Sequence, residues 1–230
     1  RRPAYRIFSE PSVDPRLIRA TLILSAPQFV FLVLMVVPEP LTIVFLAHLG
    51  PTSVAAFRAL TIVSDLTWAM PGSIGSAAEI ILGQRLGSRD IPGARSFQRA
   101  ARRSAVMLCG SVAAVGAALA WPLAALVTWS TTLASIAAAP LALHMLTLPL
   151  KGYAMTTLAP IRAAGDTRFT MWIGILTSLI VVSLTYIGIV RANFGLWAVP
   201  IAWITAWTAR SAITTWRLRQ RDWERRELAA

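Results

Sequence analysis

Long apolar runs separated by short polar turns are the feature that most constrains the fold of this chain. Each run is long enough for the helix of about 20 residues that crosses a hydrocarbon core. Only 14% of the 230 residues are charged, whereas about a quarter is usual in soluble domains. We therefore predict an all-α integral membrane protein, a bundle of six transmembrane helices. The predicted spans cover about residues 17–49, 52–83, 94–127, 133–161, 169–190 and 196–216.

The positive charge of the chain is concentrated in segments between these runs. Residues 82–103 contain six arginines and a single acid. If this segment is cytoplasmic, successive loops alternate between the two sides of the membrane. The cytoplasmic side then also has the lead-in 1–16, the turn 163–168 and the basic tail 219–230. The loops on the opposite side contain a single basic residue, Arg191. Cytoplasmic loops are the ones enriched in Lys and Arg. We predict a multi-pass protein of the cell membrane with both ends cytoplasmic, and we attribute the net charge of +12 to topology and not to nucleic-acid binding.

Several function classes are excluded by what the sequence lacks. Its one cysteine, Cys109, cannot form a disulfide within the chain, and no His/Cys cluster has metal-ligand spacing. The sequence contains neither a phosphate-binding loop nor a nucleophile elbow. We expect no enzyme, no metal, no other cofactor and no direct use of ATP.

Three ionisable residues at depth within the predicted spans are candidates for cation or proton coupling, because buried charges in membranes usually face a cavity or a partner. They are Glu39, Asp65 and Lys151. Glu39 stands between two prolines, which free backbone carbonyls around the carboxylate. Lys151 is the only lysine, and its depth allows either a pair with Glu39 or a role as a built-in cation that competes with protons.

Apolar side chains within the spans are candidates for a cavity that holds aromatic cations. The alternative is packing or an interfacial belt, which is the commoner role of aromatic residues in membrane bundles. The two histidines, His48 and His144, are expected at the interface or in the core. The cavity candidates are Phe29, Phe31, Trp68, Met70 and Trp172.

Two predicted turns, at about residues 83–90 and 165–168, contain residue types that end one helix and begin the next. Gly83 and Gly87 are expected to end a helix tightly at positive φ, where other residues are strained. Asp90 and Asp166 each precede an apolar run, and a carboxylate in that position can cap the following helix. Arg168 is expected to anchor its helix at the membrane interface.

These turns resemble those of multidrug and toxic compound extrusion (MATE) transporters. The family has a helix broken by Pro and Gly that ends in Gly-Gln-x-Leu-Gly-x-x-Asp, and a later Gly-Asp-Thr-Arg-Phe turn. Residues 194–197, Phe-Gly-Leu-Trp, are similar to the start of the family's last helix. The matching residues are Pro71, Gly83, Gln84, Leu86, Gly87 and Asp90 in the first turn, and Gly165, Asp166, Thr167, Arg168 and Phe169 in the second.

The resemblance covers residues 17–218 and implies the C-terminal six-helix lobe of a two-lobe transporter, with 1–16 as an inter-lobe linker. It implies export of organic cations and drugs by antiport with H⁺ or Na⁺. It also implies a lipid bilayer, a small-molecule substrate and an N-terminal lobe from the same or a partner chain. Lys151 stands near a position that is often acidic in the family, and a fixed ammonium there repels Na⁺, which favours H⁺.

Two other interpretations remain open. The first is a flippase of the same superfamily for lipid-linked saccharides or other lipids, whose cavity would carry net positive charge. Lys151, Arg58 and Arg210, the basic residues within the predicted spans, favour it. The second is an inactive or split half-transporter that needs a partner lobe. The chain does not begin with Met, which suggests a piece of something longer, and its bias towards Arg and Ala suggests a bacterial source.

Overall fold

A computed structural model describes residues 15–224 of the chain. Most of the predicted lead-in and the last six residues of the predicted tail lie outside these described residues. From 15 to 224 the backbone forms only helices and turns, which confirms the all-α class. The α-helices are α1 (Pro15–Val36), α2 (Pro38–Ala47), α3 (Pro51–Gly87), α4 (Ile91–Ala118), α5 (Ala120–Thr128), α6 (Thr131–Met145), α7 (Thr147–Ala163), α8 (Thr167–Tyr186) and α9 (Ala198–Arg219).

Prolines determine where three of the long helical stretches are interrupted. A proline within a helix clashes with the carbonyl four residues before it and cannot donate a hydrogen bond to that group. Helix α1 ends four residues before Pro40, α4 ends four before Pro122, and α6 ends four before Pro149. The break between α4 and α5 bends the chain by 70°. By contrast, α3 is continuous through Pro71, so the broken helix that the resemblance implied there is not found.

The number of spans remains a prediction. Among the described residues, three helical stretches are long and apolar enough to cross a membrane: Thr21–Ala47, Thr131–Ala163 and Thr167–Arg191. The bent pair α4–α5 makes a fourth if it is counted as one span. Neither α3 nor α9 is among them. Both lie where the sequence predicts spans, but they carry more polar and ionisable residues.

Helix α7 lies at the centre of the bundle. It packs against α3, α4 and α9, and most of its side chains are buried. A Cβ added to Gly152 would lie 2.9 Å from the sulfur of Cys109 and 3.1 Å from the carbonyl oxygen of Ala105. Small residues permit such close helix contact in membrane bundles. The central helix can therefore hold its polar side chains in fixed positions relative to α3 and α4.

The end of the chain folds back onto the helix ends. After α9, a short 3₁₀ turn, Asp222–Glu224, brings Trp223 into a small apolar cluster with Leu82 and Ala94. The indole N–H of Trp223 donates to the carbonyl of Leu218 at 3.3 Å. This part of the predicted tail is thus packed against α3 and α4.

A candidate transport cavity

A cavity of about 370 Å³ opens between α1, α2, α3, α6, α7 and α9. Much of its wall is aromatic, from Phe31 on α1, Trp68 on α3, and Trp203 and Trp207 on α9. The rings of Trp68 and Trp207 lie 5.7 Å apart between centroids, tilted by 43°. Such a wall offers several ring faces to a bound molecule.

The structure brings the three predicted coupling residues to this cavity. Glu39, Asp65 and Lys151 all line it, although they come from α2, α3 and α7. Asp65 is exposed, whereas the side chain of Lys151 is buried at 4% exposure. Glu39 bonds to Arg58 at 3.5 Å, so Arg58 and not Lys151 is its ionic partner. The cavity lining therefore contains two acidic side chains and one lysine.

Lys151 binds a hydroxyl in the cavity wall. Its Nζ lies 3.2 Å from Oγ of Ser64 and 5.7 Å from the ring centroid of Trp68. The same Oγ lies 3.1 Å from Nε2 of His144 on α6. Asp65 is close enough to interact with the ammonium electrostatically. These contacts connect three helices through one polar cluster.

A second buried cation lies behind the aromatic wall. Arg210 on α9 is 1% exposed, and its guanidinium carbon lies 5.1 Å from the ring centroid of Phe31 and 4.7 Å from that of Trp207. Its Nη1 contacts the sulfur of Met35 at 3.4 Å. Within the described part of the chain, Nε and Nη2 have no hydrogen-bond partner. Stacking on two rings stabilises a cation that lacks a carboxylate partner.

Three of the predicted cavity residues lie elsewhere. Phe29 is 67% exposed and Trp172 is 63% exposed, both away from the cavity lining. Met70 packs against the core, with its sulfur 3.8 Å from that of Cys109. Phe31 and Trp68, the other two candidates, are at the cavity.

Sequence reasoning did not place Ser64 or His144 in this region. The interpretation of His144 as a core or interface residue is correct for its burial, at 4% exposure, but it overlooked the cavity. A signal was present, since His144 precedes Lys151 by seven residues and residues at that spacing share a helix face. Arg210, which the flippase interpretation assigned to the cavity, lies behind the cavity wall.

The resemblance residues form turns outside the cavity. Asp90 accepts a hydrogen bond from the N–H of Gly93, and Asp166 accepts one from Phe169, so both cap the next helix. Gln84 and Arg168 are exposed at helix ends.

The expected role of Gly83 and Gly87 is wrong. Both are inside α3, and the positive φ of the first turn, 58°, falls on Arg89. In the second turn Gly165 has a φ of 79°, as a glycine at that position permits. Glu79, near the end of α3, pairs with Arg162 of α7 at 3.2 Å.

A helical membrane bundle with an aromatic, partly charged cavity has the features expected of a membrane transporter. The family model described as MatE matches residues 27–187, which is more than half of the chain. The chain therefore belongs to the MATE family, whose members are transporters and not enzymes. No curated protein matches the chain.

Solved MATE structures share this fold. A MATE crystal structure in complex with MaD3S superposes with a TM-score of 0.79 at 18% identity, covering 85% of this chain and 44% of that one. A variant of the Vibrio cholerae MATE transporter VcmN superposes with a TM-score of 0.82 at 19% identity, covering 90% of this chain and 48% of that one. A MOP superfamily transporter from Pyrococcus furiosus superposes with a TM-score of 0.79 at 18% identity, covering 85% of this chain and 43% of that one. For that protein, reverse polarity of the binding pocket suggests a different function. The present chain thus spans less than half the length of these proteins.

Proposed function

We propose that this chain is one lobe of a MATE-type secondary transporter that exports organic cations in exchange for protons. The observation that carries the proposal is the cavity, where aromatic faces and two carboxylates converge. Aromatic rings attract cations through their quadrupole, by about 0.5–2 kcal/mol for each well-placed contact. Carboxylates add long-range attraction in a site of low dielectric constant. A flat or aromatic cation combines both kinds of contact.

Transport requires a second lobe. The chain covers less than half of the solved transporters that it resembles, and we propose that the other lobe, from the same or a partner chain, closes the cavity. Rocking of two lobes about a central site gives alternating access. A bound proton and an organic cation repel each other within one cavity, so each binds best when the other has left. We place both chain ends on the cytoplasmic side of a bacterial cell membrane.

An efflux assay on the complete transporter tests this function. Asp65→Asn and Glu39→Gln each remove one negative charge from the cavity, so we expect proton-driven efflux of ethidium to fall at least tenfold in both. Asp90→Asn, which removes the same charge from a turn outside the cavity, serves as the control and should retain efflux. Wild-type efflux from both cavity variants, at equal membrane expression, would refute the assignment.

A lipid flippase is the second candidate, favoured by one observation. Two buried cations, Lys151 and Arg210, lie in or behind the cavity wall, and basic residues hold phosphate groups. This candidate predicts that proteoliposomes translocate a fluorescent anionic lipid and do not transport ethidium. The opposite result supports cation export. If the 230-residue chain transports nothing alone but does so with a second lobe, the split half-transporter is the form in which it works.

A further inference from the structure

Lys151, Ser64 and His144 form one continuous hydrogen-bonded chain at the cavity. The first lies on α7, the second on α3 and the third on α6, so the chain exists only when the three helices are packed. Lys151 and His144 are each 4% exposed. The cluster is therefore a buried arrangement of two titratable groups joined by a hydroxyl.

The direction of the hydrogen bonds follows from the donors available. A charged ammonium can only donate, so Lys151 donates to Oγ of Ser64. The hydroxyl hydrogen of Ser64 is then directed to Nε2 of His144, which must accept, and the imidazole carries its hydrogen on Nδ1. Within the described residues that Nδ1 has no partner. The charged state of Lys151 thus orients both neighbours, while the neutral amine can either donate or accept and no longer fixes that orientation.

Other charged and titratable groups face this chain from the surrounding helices. Asp65 on α3 and the thiol of Cys109 on α4 both interact electrostatically with the ammonium. Glu39 on α2 shares the cavity but is bonded to Arg58. Among the described residues, Lys151 and His144 are thus the basic side chains of the cavity lining, and of its two acids only Asp65 has no arginine in contact.

We propose that Lys151, oriented by Ser64 and His144, is the proton-binding site of this lobe, and that an entering organic cation discharges it. This inference rests on the proposed export of organic cations. When the substrate cation enters, the ammonium loses one proton to water and becomes a neutral amine, so one positive charge enters and one leaves. When the substrate departs, the amine takes up a proton from the other side of the membrane.

The size of the cavity favours this exchange. A cavity of about 370 Å³ brings a bound cation close to Lys151. At an effective dielectric constant of 20, repulsion between two unit charges about 4 Å apart changes an equilibrium constant about a thousandfold. Linkage requires the effect to be reciprocal, so that substrate binding lowers proton affinity by the same factor as the proton lowers substrate affinity.

Calorimetry of the complete transporter tests the exchange directly. Tetraphenylphosphonium is titrated in buffers of different ionisation enthalpy, which gives the number of protons released on binding. Wild type should release about one proton per cation where Lys151 is charged, and its Kd should fall about tenfold for each unit of rising pH. In Lys151→Met and Lys151→Gln, binding should be tight, independent of pH and without proton release. Proton release from both variants at the wild-type level would overturn the proposal.

Control variants separate the proton site from general charge effects. Arg58→Gln also removes one positive charge near the cavity, but arginine stays protonated throughout, so the proton count should remain that of wild type. Ser64→Ala and His144→Asn should keep the release and shift the pH at which it occurs. If they leave that pH unchanged, the hydrogen-bonded chain has no part in proton binding.

Carbon-13 NMR of lysine provides a readout that is independent of the substrate class. The signal of Lys151, assigned by its loss in Lys151→Met, is followed in the complete transporter between about pH 6 and 10, a range that includes the ordinary pKa of histidine and extends to near that of lysine. We expect it to titrate within this range, at lower pH when tetraphenylphosphonium is bound. If Lys151 titrates but the cation does not bind, export of organic cations is wrong and the proton site stands. If the signal shows that Lys151 stays protonated over the whole pH range, the assignment of Lys151 as the proton site is overturned.

Discussion

The turn between α3 and α4 and the turn between α7 and α8 have nearly the same backbone. In each, the N–H of the aspartate bonds to the carbonyl five residues before it, at 2.9 Å for Asp90 and 3.1 Å for Asp166. The residue before the aspartate has positive φ, and the carboxylate accepts the N–H three residues later. Both turns therefore combine a Schellman-type helix end with an N-cap on the next helix.

The two turns differ in what the carboxylate binds next. Asp90 pairs with Arg85, five residues away, and both side chains are well exposed, at 46% and 38%. Asp166 pairs at 3.0 Å with Arg217, at the far end of α9, and these side chains are only 11% and 20% exposed. The same local motif thus closes a turn in one place and holds a distant helix in the other. Whether it has a tertiary role depends on the distant partner and not on the motif.

The largest expected effect comes from removing the tertiary pair. Asp166→Asn keeps an N-cap, because Asn caps as well as Asp, but replaces the carboxylate that pairs with the mostly buried Arg217 by a neutral amide. We expect a loss of about 2 kcal/mol, below the value for a fully buried pair because both groups retain some solvent. Asp90→Asn, the matched change in the other turn, should cost under about 0.5 kcal/mol. Thermal unfolding of the purified protein in detergent compares them, and equal shifts in Tm would contradict the contrast.

A smaller effect is expected from the position three residues after each aspartate. It is Gly93 in the first turn and Phe169 in the second. A Cβ on Gly93 would lie 1.9 Å from Oδ2 of Asp90 and 2.2 Å from Nη1 of Arg85, so Gly93→Ala must displace the carboxylate. We expect about 1 kcal/mol of destabilisation, the usual value of a lost cap.

The second turn provides the control for this change. Phe169→Ala leaves its carboxylate in place and should retain the cap while losing apolar contact. Hydrogen exchange at the amides of residues 93 and 169 reports each cap separately. A protected amide at 93 in Gly93→Ala would show that the carboxylate accommodates the methyl group.

Much of this fold can be predicted from the sequence because its determinants are local. The two capping aspartates follow from residue type and position, and the apolar runs follow from composition. The interruptions at Pro122 and Pro149 fit the rule that a helix ends four residues before a proline. The rule could not have selected them, because helices continue through Pro27, Pro71, Pro140 and Pro160.

The cavity is harder to predict than the turns, because the position of a side chain depends both on its depth in the membrane and on its direction around the helix axis. Counting residues from a span's end gives the depth of Glu39, Asp65 and Lys151, but not the direction in which each side chain points. Phe29 and Phe31 have similar depth, yet two residues of helix rotate them by about 200°, and only Phe31 reaches the cavity. For the same reason depth could not select the ionic partner of Glu39.

The smallest expected effect concerns the residue with positive φ, which is Arg89 in one turn and Gly165 in the other, at 58° and 79°. An L-residue in the left-handed region is strained by about 1 kcal/mol, whereas glycine is not. Arg89→Gly should therefore stabilise by about 0.5 kcal/mol after its greater unfolded-state entropy is subtracted, and by the same balance Gly165→Ala should destabilise by about 0.5 kcal/mol. Apart from its chain neighbours, no atom of the described residues lies within 4 Å of a Cβ built on Gly165, so its cost is conformational and not steric. Opposite shifts in Tm are expected, and a loss of stability in both variants would mean that Arg89 makes contacts that outweigh its backbone strain.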